Sequence, residues 1–181
     1  MAAVPPATAR LVFSELAASD AGFIQALLNS PGFLQYIGDR GVRSSDDALR
    51  YMDAGPRASY AAHGYGLWKV ALRASGQAVG ISGLVRRDAL PHADLGYAFL
   101  PEHTGQGLAC EAGAAVLAHA FGSLGLDTVL AIVQPGNAGS IRVLEKLAFE
   151  ATGPREFNGE TLQVYAAHAP RWNRYASFRY R

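Results

Sequence analysis

The segment Thr104-Gly105-Gln106-Gly107-Leu108-Ala109 holds more potential chemistry than any other in this 181-residue chain. It comes after an apolar, strand-like run and opens an Ala-rich stretch that reads as a helix. The first-turn N–H groups of such a helix have no intrahelical acceptor, and the dipole adds partial positive charge, so the spacing suits an anion. Gly105 and Gly107 let a phosphate approach the backbone closely, although paired glycines also serve as plain turn formers. The residues next to the loop separate three phosphate ligands. A P-loop needs Lys and then Ser or Thr after the second glycine, and Leu108-Ala109 stand there instead. A dinucleotide fingerprint needs a small third residue at Cys110 and an acid at the end of the next strand. Asp127 has the distance but precedes its strand. The pyrophosphate of coenzyme A is the third option.

Other residues invite simpler readings. Asn137 and Ser140 sit where a helix through Ile141, Leu144 and Leu147 begins, as an N-cap and a first-turn polar residue. Cys110 lies on the first turn of the Ala-rich helix and reads as a small packing residue. His63, His103, His119 and His168 show no ligand spacing, and a single cysteine excludes a multi-cysteine centre, so no metal is expected.

These residues need elements to hold them. Residues 10–14 read as a first strand. Ser19-Asp20 cap a helix with Phe23, Ile24, Leu27 and Leu28 on one face, ended by Ser30-Pro31-Gly32. Phe33 to Ile37 is a short apolar piece, and Gly38-Asp39-Arg40-Gly41 a charged loop that either lines the acceptor side of a site or simply forms a turn. Ser44 or Ser45 caps a helix with Asp46 and Asp47 in its first turn, where the dipole favours acids. Gly55-Pro56 interrupts it, and a further helical stretch ends near His63-Gly64. Residues 67–73 and 78–87 form a hairpin about Ser75-Gly76. Residues 94–100 form a strand, 108–124 the long helix, 128–133 a buried, parallel-type strand. Next come a helix from Asn137 and a hairpin about Asn158-Gly159. The order β-αα-βββ-α-β-α-ββ predicts an α+β, mixed sheet with helices on its faces, in one domain over residues 1–168.

Hydrophobic residues are 50% of the chain and charged residues 17%, enough to bury a sizeable core. A net charge of +1 argues against nucleic acid as the main partner. The N-terminus lacks a basic region followed by an apolar run, and no apolar stretch is long enough to span a bilayer. With one cysteine, these features predict a cytoplasmic protein. Residues 169–181 interleave Arg171, Arg174, Arg179 and Arg181 with Trp172, Tyr175, Phe178 and Tyr180. This tail is either a nucleic-acid or partner contact, or a loosely ordered terminus or final turn packed on the domain.

The blocks L-P-E-x-x-G-x-G-x-A-x-E-A, from Leu100 to Ala112, and P-x-N-x-x-S-x-x-V-L-E-K-L-x-F, from Pro135 to Phe149, resemble the cofactor-binding half of the GNAT N-acetyltransferases. They are most similar to the RimJ/RimL-type branch. The pairing, in this order, is far more specific than either block alone. The resemblance is strong over residues 94–153. It implies a central, mostly antiparallel seven-stranded sheet that splays at one parallel pair, with acetyl-CoA as co-substrate. Leu100, Thr104, Gly105, Gln106, Gly107, Leu108 and Ala109 would hold the cofactor, with Asn137 and Ser140 on its pantetheine arm. Thr104 stands where the family has Gln or Arg, which removes a side-chain donor and leaves the backbone cradle. The thioester carbonyl would meet a backbone N–H near a bulge at Gly96-Tyr97, and Ser140 would protonate the leaving thiolate.

An amine acceptor arrives protonated, so a base is required. The resemblance favours Asp94, just before Leu95-Gly96-Tyr97, with Glu160 and His92 as rivals; a solvated edge carboxylate is the plain alternative for Asp94. The implied reaction is acetyl transfer to a protein N-terminus or a small-molecule amine. A non-catalytic acyl-CoA sensor of the same fold is the alternative. A second copy of the chain, docked through helix faces or sheet edges, is a candidate partner that no particular residue argues for.

Overall fold

A computed structural model of the chain describes residues 3–179, with side chains to residue 176. Met1, Ala2, Tyr180, Arg181 and the side chains of Ser177, Phe178 and Arg179 lie outside the described residues. The strands are β1 (Leu11–Ser14), β2 (Leu67–Leu72), β3 (Ala78–Val85), β4 (Asp94–Phe99), β5 (Thr128–Val133), β6 (Glu150–Phe157) and β7 (Glu160–His168). They form one seven-stranded sheet in the order β1-β2-β3-β4-β5-β7-β6. Every neighbouring pair is antiparallel except β4 and β5. This is the mixed sheet that the order of elements predicted, mostly antiparallel and seven-stranded as the GNAT resemblance implied.

Between β1 and β2 lie α1 (Ala21–Leu28), α2 (Pro31–Tyr36), α3 (Ser45–Met52) and α4 (Ala58–His63). The short apolar piece after Ser30 is a helix because Ser30 takes the cap position and Pro31 the first turn, where its missing N–H has no role. Ser44 caps α3: its side chain accepts from Asp47 N at 3.1 Å, and Asp47 Oδ2 accepts from Ser44 N at 2.9 Å. Gly55-Pro56 does not end the helical path. Asp53–Arg57 widens into a π-type turn, which accommodates the ring of Pro56 and leads into α4. Gly64, at φ 74°, closes α4 in the left-handed conformation.

Side-chain alternation divides the core. One face of the sheet carries Trp68 and Leu84 with Leu95, and packs against α5 (Leu108–Ala118) and α6 (Ala138–Lys146). The other carries Ile81 against Ile24, Leu27, Phe33 and Met52 from α1, α2 and α3. Helices thus cover both faces. α5 sits close because its inner side is small: a Cβ on Gly113 would lie 2.6 Å from Leu147 Cδ1. Each large aliphatic side chain buried here contributes about 1.5–3 kcal/mol. Residues Ala169–Arg179 form α7. Trp172 is buried against Phe121, with ring centroids 5.7 Å apart, and Arg171 pairs with Glu150. No helix among the described residues is long and apolar enough to cross a membrane.

Candidate active site

Successive residues of a strand turn their N–H and C=O groups to alternate sides. Leu100 N donates to Val79 O of the β3 side at 2.9 Å, and Ala93 O accepts from Leu130 N of β5 at 2.9 Å. Leu95, Tyr97 and Phe99 therefore present their backbone groups towards β5. Yet β4 and β5 pair only at Asp94↔Leu130. Beyond that point the strands part, and the N–H groups of Tyr97 and Phe99 face a gap. A cavity of about 1660 Å³ opens there, bordered by Tyr97 and Phe99 on one side and Ile132 and Gln134 on the other.

The glycine loop closes one end of this cavity. Gly105 and Gly107 adopt φ 73° and 78°, the left-handed region that glycine occupies without strain. The first intrahelical bond of α5 runs from Glu111 N to Gly107 O at 3.1 Å, so the N–H groups of Leu108 and Ala109 precede it. A Cβ added to Gly105 would meet nothing within 4 Å, which leaves open space above the loop. Donors, dipole and room together fit a diphosphate. Thr104, Gly105, Gly107, Leu108 and Ala109 all border the cavity. Thr104 Oγ1 donates to Pro101 O at 2.8 Å, holding the preceding turn. Leu100 and Gln106 are not brought to the cavity. Leu100 alternates to the opposite face and packs with the α1–α3 cluster. Gln106 turns outward, its Nε2 donating to Glu102 O at 2.9 Å.

Asn137 and Ser140 border the cavity at the start of α6. Asn137 caps that helix, its Oδ1 accepting from Ser140 N at 3.1 Å. Tyr97 Oη donates to Ser140 O at 3.3 Å and so ties β4 to α6 across the gap. Burial pushes the Tyr97 pKa up to about 12, which keeps the hydroxyl a donor.

Asp94 faces the opposite side of β4 but borders the same cavity. It is not a solvated edge carboxylate: its relative exposure is 1%, and Arg87 Nε donates to Oδ1 at 3.0 Å. Burial pushes its pKa up to about 6, against the opposing pull of the Arg87 guanidinium. A buried carboxyl that titrates near neutrality is poised for proton transfer. Glu160 is exposed on the cavity border, and His92 is exposed outside it. The bulge expected at Gly96-Tyr97 is absent from the β3–β4 pairing, which runs in unbroken register from Gly80↔Phe99 to Val85↔Asp94. Gly96 serves packing instead, since a Cβ there would lie 3.2 Å from Leu67 Cδ2.

Sequence reasoning missed how the glycine loop is anchored. Arg10 Nε pairs with Glu111 Oε2 at 2.6 Å, and Arg10 Nη1 donates to Gln106 O at 2.9 Å. Thr8 Oγ1 donates to Glu111 Oε1 at 2.6 Å. Burial raises the Glu111 pKa, but these hydrogen bonds outweigh it and leave the carboxyl below its usual range. In sequence, Glu111 looks like a residue serving its own helix, and nothing local marks Arg10 as its partner. Arg87 is likewise unmarked. Among the described residues no group of three or more His, Cys, Asp or Glu side chains could hold a metal ion.

Residues 10–150 match the family model described as acetyltransferase (GNAT) domain. The chain belongs to the GNAT acetyltransferase family. It is 28% identical over 148 residues to the Bacillus subtilis (strain 168) protein named uncharacterized N-acetyltransferase YoaA, covering 81% of this chain and 82% of that one. Among solved structures, the acetyltransferase from Agrobacterium tumefaciens str. C58 superposes with a TM-score of 0.78 at 26% identity, covering 93% and 96% of the two chains. Mycobacterium smegmatis RimJ, solved in complex with CoA-disulfide, superposes with a TM-score of 0.77 at 22% identity, covering 93% and 88%. RimJ thus stands among the structural neighbours, as the RimJ/RimL likeness of the sequence suggested, and at this identity the likeness is one of fold.

Proposed function

We propose that this acetyltransferase moves the acetyl group of acetyl-CoA directly to a primary amine, either a protein N-terminus or a small molecule. The observation that carries the reading is the parting of β4 from β5 after one parallel pair, with a glycine-cradled helix end closing the gap. An extended amide arm fits such a gap as an added strand would. In this reading Leu108, Ala109 and the loop glycines hold the diphosphate, and Asn137 lies along the pantetheine. The thioester supplies the activated acetyl carbonyl. The Tyr97 N–H donates to that carbonyl oxygen as charge develops on it, an effect of about 3 kcal/mol for one well-placed donor.

Asp94 takes the proton of the incoming ammonium, directly or through a water. The amine lone pair then forms the C–N bond while the C–S bond breaks and its electron pair leaves on sulfur. In this reading the Ser140 hydroxyl gives a proton to the departing thiolate and is reprotonated by the second proton, which the nitrogen sheds as the amide forms.

Saturating acetyl-CoA is expected to raise the unfolding temperature, because a ligand present at 100 times its Kd stabilises the native state by about 2.7 kcal/mol. CoA release measured against a panel of amines and N-terminal peptides then tests transfer. No thermal shift and no binding heat would remove the reading. Tight CoA binding without turnover across the panel would favour an acyl-CoA sensor.

A further inference from the structure

The cavity does not stop at the β4–β5 gap. Past Asp94 it continues between α2, α3 and the residues after β3, where Phe33, Tyr36, Ile37, Arg40, Tyr51 and Arg87 border it. Of the two guanidinium groups, Arg87 is committed to Asp94. Arg40 is not committed: among the described residues it makes no ion pair or side-chain hydrogen bond. Its acidic neighbours are taken, Asp39 by Arg43 and Asp47 by Arg50. Tyr51 borders the same part of the cavity as the two cations. Burial pushes its pKa up, while Arg40 and Arg87 both pull the other way, so both charges lie close to this hydroxyl. Because the group stays protonated, Tyr51 presents an O–H donor beside an unpaired cation.

Asp94 with its partner Arg87, Tyr51 and Arg40 thus all border this part of the cavity. The carboxylate end suits the reacting ammonium. The Arg40 end suits an anion, since a guanidinium and a hydroxyl offer directed donors to one. Asp88, Glu156 and Glu160 also border the cavity. Asp88 comes directly after Arg86 and Arg87, and Glu156 accepts from Thr161 at the β6–β7 hairpin.

The geometry points to an acceptor that is an amine carrying its own carboxylate or equivalent anion, bound with the amine at Asp94 and the anion at Arg40 and Tyr51, its apolar part against Phe33, Tyr36 and Ile37. This assignment deepens the acetyl-transfer reading and rests on it. It selects against a polyamine, whose second ammonium would face Arg40.

The test compares phenylalanine, phenylalaninamide, phenethylamine and spermidine as acceptors, in wild type and in Arg40→Gln and Arg40→Glu. Two readouts are taken: CoA release, and acceptor binding to the CoA-loaded enzyme by calorimetry. Phenylalanine is expected to show the highest kcat/KM. Arg40→Gln should lower it about tenfold or more, the effect of losing a charge-assisted hydrogen bond, while leaving phenethylamine unchanged. Arg40→Glu should shift preference towards spermidine. Arg40 is exposed, so neither variant threatens folding. Turnover with no preference for the carboxylate, or equal losses for charged and neutral acceptors, would overturn the assignment and leave acetyl transfer standing. Carboxylate-dependent binding that Arg40→Gln abolishes, without CoA release from any amine, would uphold the anion site and remove acetyl transfer.

Discussion

The two walls of the cavity are built in different ways. The wall proposed to hold the cofactor is made largely of backbone: N–H groups at the start of α5, the N–H groups of Tyr97 and Phe99, and glycines that keep side chains out of the way. The wall proposed for the acceptor is made of side chains, with Arg87 just after β3, Asp94 at the start of β4, and Arg40 and Tyr51 from before β2. Backbone recognises what every member of a family shares, because its geometry survives changes of residue. Side chains recognise what differs, and one substitution changes them. Variants on the two walls should therefore fail in different ways.

The largest effect is expected from Asp94→Asn. If Asp94 is the base, CoA release should fall by about 10²–10⁴-fold, while calorimetry finds acetyl-CoA binding unchanged. Equal loss of both would erase the distinction between the walls. The pH dependence sharpens it. The Asp94 pKa in the folded chain is about 6, above the ordinary value of 3.8. A raised pKa means that the folded state favours the protonated form. The corresponding stability is fully present below pH 3.8 and is lost as pH rises through about 6. The difference amounts to about 3 kcal/mol. Urea unfolding between pH 4 and pH 8 should show this decline, and Asp94→Asn should flatten it. Activity should run the opposite way, rising through the same window as the base ionises.

On the cofactor wall, Gly107→Val places a β-branched residue at φ 78°. The strain costs roughly 1–2 kcal/mol, and the added branch crowds the loop, so acetyl-CoA binding should weaken about tenfold by calorimetry. Turnover at saturating cofactor should change less than affinity. The smallest effect is expected from Arg10→Ala. Arg10 is half exposed, so its ion pair with Glu111 contributes under about 1 kcal/mol to stability. The released loop should nonetheless raise the acetyl-CoA Kd, with little change in acceptor KM. A larger rise in acceptor KM would place Arg10 on the wrong wall.

The contrast between the walls also explains what is legible in the sequence. Loop and helix start are contiguous from Thr104 to Ala109, and Asn137 and Ser140 share one turn, so local rules suffice for both. The parallel strand after α5 is legible because Thr128 to Val133 is apolar throughout. Alternation turns the Leu100 side chain away from the cavity, since it shares a face with Gly96 and Ala98 while Tyr97 and Phe99 face α5 and α6. The bulge at Gly96 rested on a glycine that proves to relieve crowding from Leu67, two strands away on β2. Arg40 is legible only as part of the loop Gly38-Asp39-Arg40-Gly41, which borders the cavity as one of its two readings allowed; Tyr51 and Arg87 escape because they meet it only in the folded chain, where distance along the sequence carries no information. Pro56 misleads because a π-type turn absorbs a proline that a regular helix would reject.

Sheets usually expose unpaired strand edges on their outside, where proteins guard them against unwanted pairing. Here β4 carries such an edge beside the cavity, between helices that cover the sheet. That makes the site receptive to any slender chain that can offer carbonyls in step with Tyr97 and Phe99. A short peptide-like strand, with no nucleotide and no thioester, is a rational starting point for a competitive inhibitor.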